Sequence, residues 1–183
     1  MTADERTAVL ARMVSRSPKT PGRTAVMKLV YFLQEYKGVS LGYDFRLFTY
    51  GPFDADVLSD LSAAVADGTV TETMRLYARG YGYEIAATPT GDQLAATLPA
   101  HVASAADEVA RLFGQYDAAE LELRSTIFYV EREASHNSEP LNIEALAERV
   151  HEVKPHFATD KILARITEMR AAGLFASSTA LAV

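Results

Sequence analysis

The side chains best suited to chemistry are few and scattered. The densest metal-type set is His151 and His156 with Glu148 and Glu152. Two histidines bind zinc from one helical face when they are four residues apart. Here the spacing is five and Pro155 intervenes, so no metal is expected. Arg79-Gly80-Tyr81-Gly82-Tyr83 contains Gly-x-Gly, but a phosphate-cradling loop must follow a strand and open a helix. This one lies between two β-like runs and is expected to be a hairpin turn. His136 sits in a polar stretch, the acids Glu131 and Glu133 have no cleft-forming sequence around them, and no Gly-x-Ser-x-Gly elbow is present. With no cysteine, disulfides, zinc–thiolate sites and a cysteine nucleophile are excluded. The chain is therefore expected to carry no catalytic residue and no cofactor.

The elements around these residues read more clearly. The chain has 183 residues, 49% hydrophobic and 23% charged, a composition typical of a globular domain. Residues 1–12 lack the apolar core of a signal peptide, and no run approaches the roughly 18 apolar residues of a membrane span. A cytoplasmic protein is expected. Thr2 with Glu5 forms a capping-box pattern for a helix running to about Val14. Pro18, Pro21 and Gly22 mark a loop. A second helix spans about Thr24 to Tyr36, with Val26, Leu29, Val30 and Leu33 on one face and Gly38 at its end. Met27, Tyr31 and Phe32 make it apolar around most of its circumference, as in a central helix.

Leu41 to Tyr50 is rich in aromatics and reads as a strand or strand-like connection ended by Gly51-Pro52. Asp54 caps a third helix with Val57, Leu58, Leu61 and Val65 inside, and Gly68 stops it. Thr69–Thr73 and Tyr83–Ala87 read as a β-hairpin about a turn at Arg79–Gly82. Thr88-Pro89-Thr90-Gly91 leads into a short helix at Asp92–Leu98. Helices follow over about 100–115, 118–133, 143–153 and 160–172, with Asn142 and Thr159 as caps. The fold class expected is α+β, mainly α: a winged-helix-like core over residues 1–100, with the hairpin as wing, and a helical extension over 101–183 packed on it as one unit.

Charge is distributed unevenly. The net charge is −6. Residues 1–37 hold seven basic residues, Arg6, Arg12, Arg16, Lys19, Arg23, Lys28 and Lys37, against three acids. From Leu47 to Met74 there is no cation, while Asp54, Asp56, Asp60, Asp67 and Glu72 are present. A recognition helix at 54–67 would bring acids against phosphates that require cations. This argues against recognition-helix binding to DNA. A DNA-binding regulator stays as the alternative through Arg16, Lys19, Arg23 and Arg79.

The segments Lys28-Leu29-Val30-Tyr31-Phe32-Leu33, Leu41-Gly42-Tyr43-Asp44-Phe45, Tyr50-Gly51-Pro52-Phe53 and Leu58-Ser59-Asp60-Leu61 resemble the bacterial YwgA-like family. More distantly they resemble the Panacea (SocA-like) antitoxin-associated domain. The resemblance covers roughly residues 20–70. It implies a protein-interaction role in a toxin–antitoxin or phage-defence setting and supplies no catalytic residue. The partner would be a protein, such as a basic toxin or nuclease that suits the acidic chain.

Two readings stay open for the residues of that segment. Tyr50-Gly51-Pro52 is either a strand-to-helix turn or, with Phe53, an aromatic surface for a partner. Lys28 either extends to the surface beside a packed Tyr31, or the two join Arg46 at the rim of a partner groove.

Overall fold

The computed structural model describes residues 1–77 and 80–175. Among them are eight helices and two antiparallel hairpins, an α+β, mainly α fold. Two compact units divide after Leu121.

In the first unit, α1 (Ala3–Arg16) begins at a capping box: Thr2 and Glu5 each accept a hydrogen bond from the other's backbone amide. The helix runs past Val14 to Arg16. α2 (Arg23–Glu35) is buried from Ala25 to Leu33 without interruption. Its Phe32 ring stacks on Phe113 at 3.8 Å, with the ring planes 2° apart. This fastens α5 (Ala100–Phe113) to the central helix. α5 thus packs within the first unit, against α1 and α2.

The segment read as a strand or strand-like connection over 41–50 is the latter up to Phe45 and a short strand beyond it. Leu41, Tyr43 and Phe45 are buried while Gly42 and Asp44 are exposed, the alternation of a strand. Among the described residues no strand lies beside Leu41–Phe45, however. The Gln34 carboxamide oxygen instead accepts from the Gly42 and Tyr43 amides, and its nitrogen donates to the Tyr43 carbonyl at 2.9 Å. Only β1 (Arg46–Phe48) is paired, and its partner is β2 (Gly51–Phe53), the stretch expected to end the strand. Thr49-Tyr50 forms the tip. Gly51 has φ +88°, a left-handed conformation open mainly to glycine.

Asp54 caps α3 (Ala55–Ala66) by accepting from the Asp56 amide at 2.8 Å. β3 (Val70–Tyr77) and β4 (Gly80–Ala87) then pair from Val70↔Ala87 to Tyr77↔Gly80. This hairpin is longer than the sequence suggests: Gly80 and Gly82 lie inside β4, not in the turn. α4 (Pro89–Ala95) starts at Thr88, whose hydroxyl accepts from the Gly91 amide and donates to Gly68 and Thr69 carbonyls. Proline occupies the first turn, where its missing N–H costs nothing. The helix therefore begins earlier than Asp92.

The second unit contains the greater part of α6 (Ala118–His136), with α7 (Ile143–Val153) and α8 (Thr159–Ala171). Asn142 caps α7. The cap of α8 is Ala158, with no side-chain bond, in place of the expected Thr159. Lys154 and Glu122, both buried, pair at 3.1 Å, with His156 at 3.4 Å from the same carboxylate oxygen. Arg124 reaches Glu168 at 2.9 Å.

Gly91 is where backbones crowd most. A methyl group there would overlap the Thr69 carbonyl and press on Ala11. We expect Gly91→Ala to destabilise the first unit by about 1–3 kcal/mol, the usual cost of overpacking. Thermal unfolding of the two proteins measures it.

Candidate functional site

The residues singled out by sequence divide sharply by burial. Lys28 and Tyr31 are core residues. Neither extends to the surface nor rims a groove, which corrects both readings of Lys28. An ammonium group withdrawn from water needs an acceptor, and Lys28 Nζ donates to the Pro52 carbonyl at 2.6 Å. Tyr31 packs edge-on against Phe45, with ring centroids 5.1 Å apart. Gly51 and Pro52 are also buried. They shape the β1–β2 hairpin and hold it on α2.

The other residues of the set stand outward. Tyr50 is 68% exposed at the hairpin tip and Phe48, unremarked in the sequence, is 58% exposed. Phe48 meets half-buried Phe53 edge-on, ring centroids 5.4 Å apart. Arg46 is exposed and pairs with Asp44 at 2.8 Å. The structure thus brings Arg46, Phe48, Tyr50 and Phe53 onto one small hairpin and withdraws Lys28, Tyr31, Gly51 and Pro52 beneath it. Phe48 was legible only as part of an aromatic run, because register decides which aromatic faces out.

Beside this hairpin, a three-way contact fixes the start of α1 to α3. Arg6 donates to both oxygens of Asp60, at 2.6 and 3.2 Å, and the Tyr43 hydroxyl donates to Asp60 at 2.7 Å. Burial first, and then the Asp60 bond, hold the Tyr43 phenol well above the ordinary tyrosine range. The exposed residues of α3 and its C-cap, Ala55, Asp56, Ser59, Ser62, Ala63, Val65, Ala66 and Asp67, include no cation.

The basic N-terminal stretch is largely neutralised within the fold. Arg12 makes two 2.7 Å bonds to Asp107, with Arg16 at 3.7 Å from the same carboxylate. Arg23 bonds Glu72 at 2.7 and 2.5 Å and stacks over Tyr83 at 3.8 Å. Lys37 pairs with Glu108 at 2.5 Å. Lys19 is exposed at a cleft of about 580 Å³ that is also lined by Arg23, Tyr77, Tyr81, Tyr83 and Tyr116. Arg79 lies outside the described residues. Of the four cations named for a DNA-binding regulator, Arg16 and Arg23 are thus paired with acids of the fold.

Among the described residues, no cluster of three or more His, Asp or Glu side chains has the arrangement of a metal site. No described helix is long and apolar enough to cross a membrane. His151 Nδ1 lies 3.0 Å from the Phe157 carbonyl, and His156 approaches Glu122, so the two histidines serve different partners. No family model and no curated protein matches this chain.

Two tests follow from these contacts. Lys28→Met keeps the stem but leaves the buried Pro52 carbonyl without its ammonium donor. It should lower stability by about 1–3 kcal/mol in urea unfolding and speed hydrogen exchange in the hairpin. Tyr43 binds its proton more tightly when folded than when unfolded. Its contribution is complete below pH 10.0, the ordinary value, and is lost as pH rises above it. Unfolding free energy measured on either side of pH 10.0 should fall at the alkaline end, and Tyr43→Phe should flatten that fall.

Proposed function

We propose that this protein is a non-catalytic interaction module, of the kind implied by its resemblance to the YwgA-like and Panacea families. It binds a basic protein partner through the β1–β2 hairpin. The observation that carries the reading is the outward pair Phe48 and Tyr50 on a hairpin tied to the central helix. Aromatic side chains held rigidly give much contact area for little entropy loss. The neighbouring acids Asp54 and Asp56 and the cation-free outer face of α3 favour a positively charged partner. A toxin or nuclease with a basic working surface fits this chemistry, and covering that surface is how such a module would neutralise it.

Affinity capture from an extract of the host cell, run with the full chain, tests the reading. The expected result is a stoichiometric basic partner whose capture weakens as salt rises. The double substitution Phe48→Ala with Tyr50→Ala should lower its affinity by about tenfold or more while leaving the thermal transition in place. Absence of any stoichiometric partner, or capture indifferent to the double substitution, overturns the reading.

A further inference from the structure

The β3–β4 hairpin carries a second surface with a different chemistry. Its register settles which backbone groups are spent. The Thr88 amide bonds the Thr69 carbonyl, so 69 and 88 form a hydrogen-bonded pair. Alternation in an antiparallel ladder then makes 71↔86, 73↔84, 75↔82 and 77↔80 bonded pairs too. The remaining β3 residues, Val70, Glu72, Met74 and Leu76, point their N–H and C=O groups away from β4. On the opposite edge the same rule turns Ile85 outward, and its amide indeed bonds the Pro21 carbonyl at 2.9 Å.

Among the described residues β3 has no such cover and pairs only with β4. Among the described residues, no backbone group from outside the hairpin bonds Glu72, Met74 or Leu76. The side chains of these residues share a face with Ile85, Tyr83 and Tyr81. That face is core at Val70 and Ile85 but open further out, where Met74 is 65% exposed, Leu76 88% and Tyr81 70%. At its inner end a groove of about 350 Å³ runs beside the Arg23–Glu72 pair, lined by Leu58, Leu61, Ser62 and Val65 of α3.

We propose that the open edge of β3 takes up an extended segment of a partner protein by strand addition. The segment's main chain bonds Glu72, Met74 and Leu76. Its alternate side chains are apolar: they lie along Met74 and Leu76, and one enters the α3–β3 groove. Area decides between a segment and a second copy of this chain. At roughly 150–250 Å² for an aromatic-sized side chain, the three exposed side chains present on the order of 400 Å². A stable globular interface needs about 800 Å² from each partner. The available patch matches one strand. This rests on the interaction-module reading above but uses a surface separate from Phe48 and Tyr50.

The probe is a displayed library of random linear peptides selected on the full chain. Peptides with apolar residues at alternate positions should emerge. N-methylation of alternate backbone nitrogens in the best peptide should abolish binding, and N-methylation of the intervening ones should not. Met74→Pro removes an outward N–H and no bond of the hairpin, the one setting in which a strand tolerates proline. It should weaken the peptide by about tenfold or more. If that variant fails to fold, Leu76→Lys places an edge-blocking charge on an intact backbone and should do the same.

The Phe48→Ala, Tyr50→Ala protein should bind the peptide normally. A library that yields no binder overturns the proposal, as does a peptide indifferent to both edge variants. So does a concentration-dependent dimer of this chain that Met74→Pro dissolves. A native partner that is captured yet ignores both edge variants overturns the strand-edge assignment alone. Absence of any native partner overturns the reading beneath it, while peptide binding still reports on the edge.

Discussion

The first unit is organised around a cation that cannot reach water. α2 is buried from Ala25 through Leu33, and each large apolar side chain there contributes about 1.5–3 kcal/mol by burial. Lys28 sits within that run, so its ammonium must be met by protein oxygen. The Pro52 carbonyl meets it at 2.6 Å. This fixes where β2 lies. Because β2 is then anchored and Gly51 turns the chain at φ +88°, Tyr50 and Phe48 are carried outward. A buried contact thereby determines which aromatic residues the surface displays.

Electrostatics follow a similar economy. The cations of the first thirty-seven residues look like a nucleic-acid footprint when read along the chain. Folding pairs Arg6 with Asp60, Arg12 and Arg16 with Asp107, Arg23 with Glu72 and Lys37 with Glu108. Each pair joins residues far apart in sequence. Partly exposed pairs of this kind add little stability individually. Their larger consequence is that positive charge is consumed internally, while the exposed Asp56 and Asp67 on and beside α3 stay uncompensated by any neighbouring cation in sequence. The outer face of α3 is left with negative charge.

Local signals were readable from sequence because their physics is local. The Thr2–Glu5 capping box, the Asp54 and Asn142 caps and the stop at Gly68 all stand where side chain and backbone spacing place them. The errors arose where distant groups decide. The aromatic run over Leu41–Tyr50 suggested a strand or strand-like connection, and the bonds to its first part come from Gln34 on α2. Gly80 and Gly82 suggested a turn, but cross-strand pairing with Tyr77 and Arg75 draws both into β4. Lys28 suggested a surface residue because lysine usually keeps its charge wet. The Pro52 carbonyl, twenty-four residues away in sequence, supplies an acceptor that no local pattern reveals. The same limit hid Phe48, whose exposure depends on hairpin register.

The two hairpins meet the edge problem differently, and the contrast bears on function. A two-stranded sheet always has two open edges, and proteins usually shorten, charge or cover them. β1 and β2 are three residues each, with Pro52 in one of them, so little edge remains to pair. β4 is covered at Ile85 by the loop before α2, where Gly22 lies so close to the Tyr83 carbonyl that a Cβ would be only 2.7 Å from its oxygen. β3 is eight residues long, contains no proline or glycine, and carries Met74 and Leu76 at its outward positions. Where the described residues shield the other edges, leaving this one open among them invites association unless a partner strand occupies it. The length of β3 beyond the core exceeds what packing on α3 requires, since burial on that strand ends at Val70 and only Glu72 is half-covered beyond it. The excess length is intelligible as a template for an incoming strand.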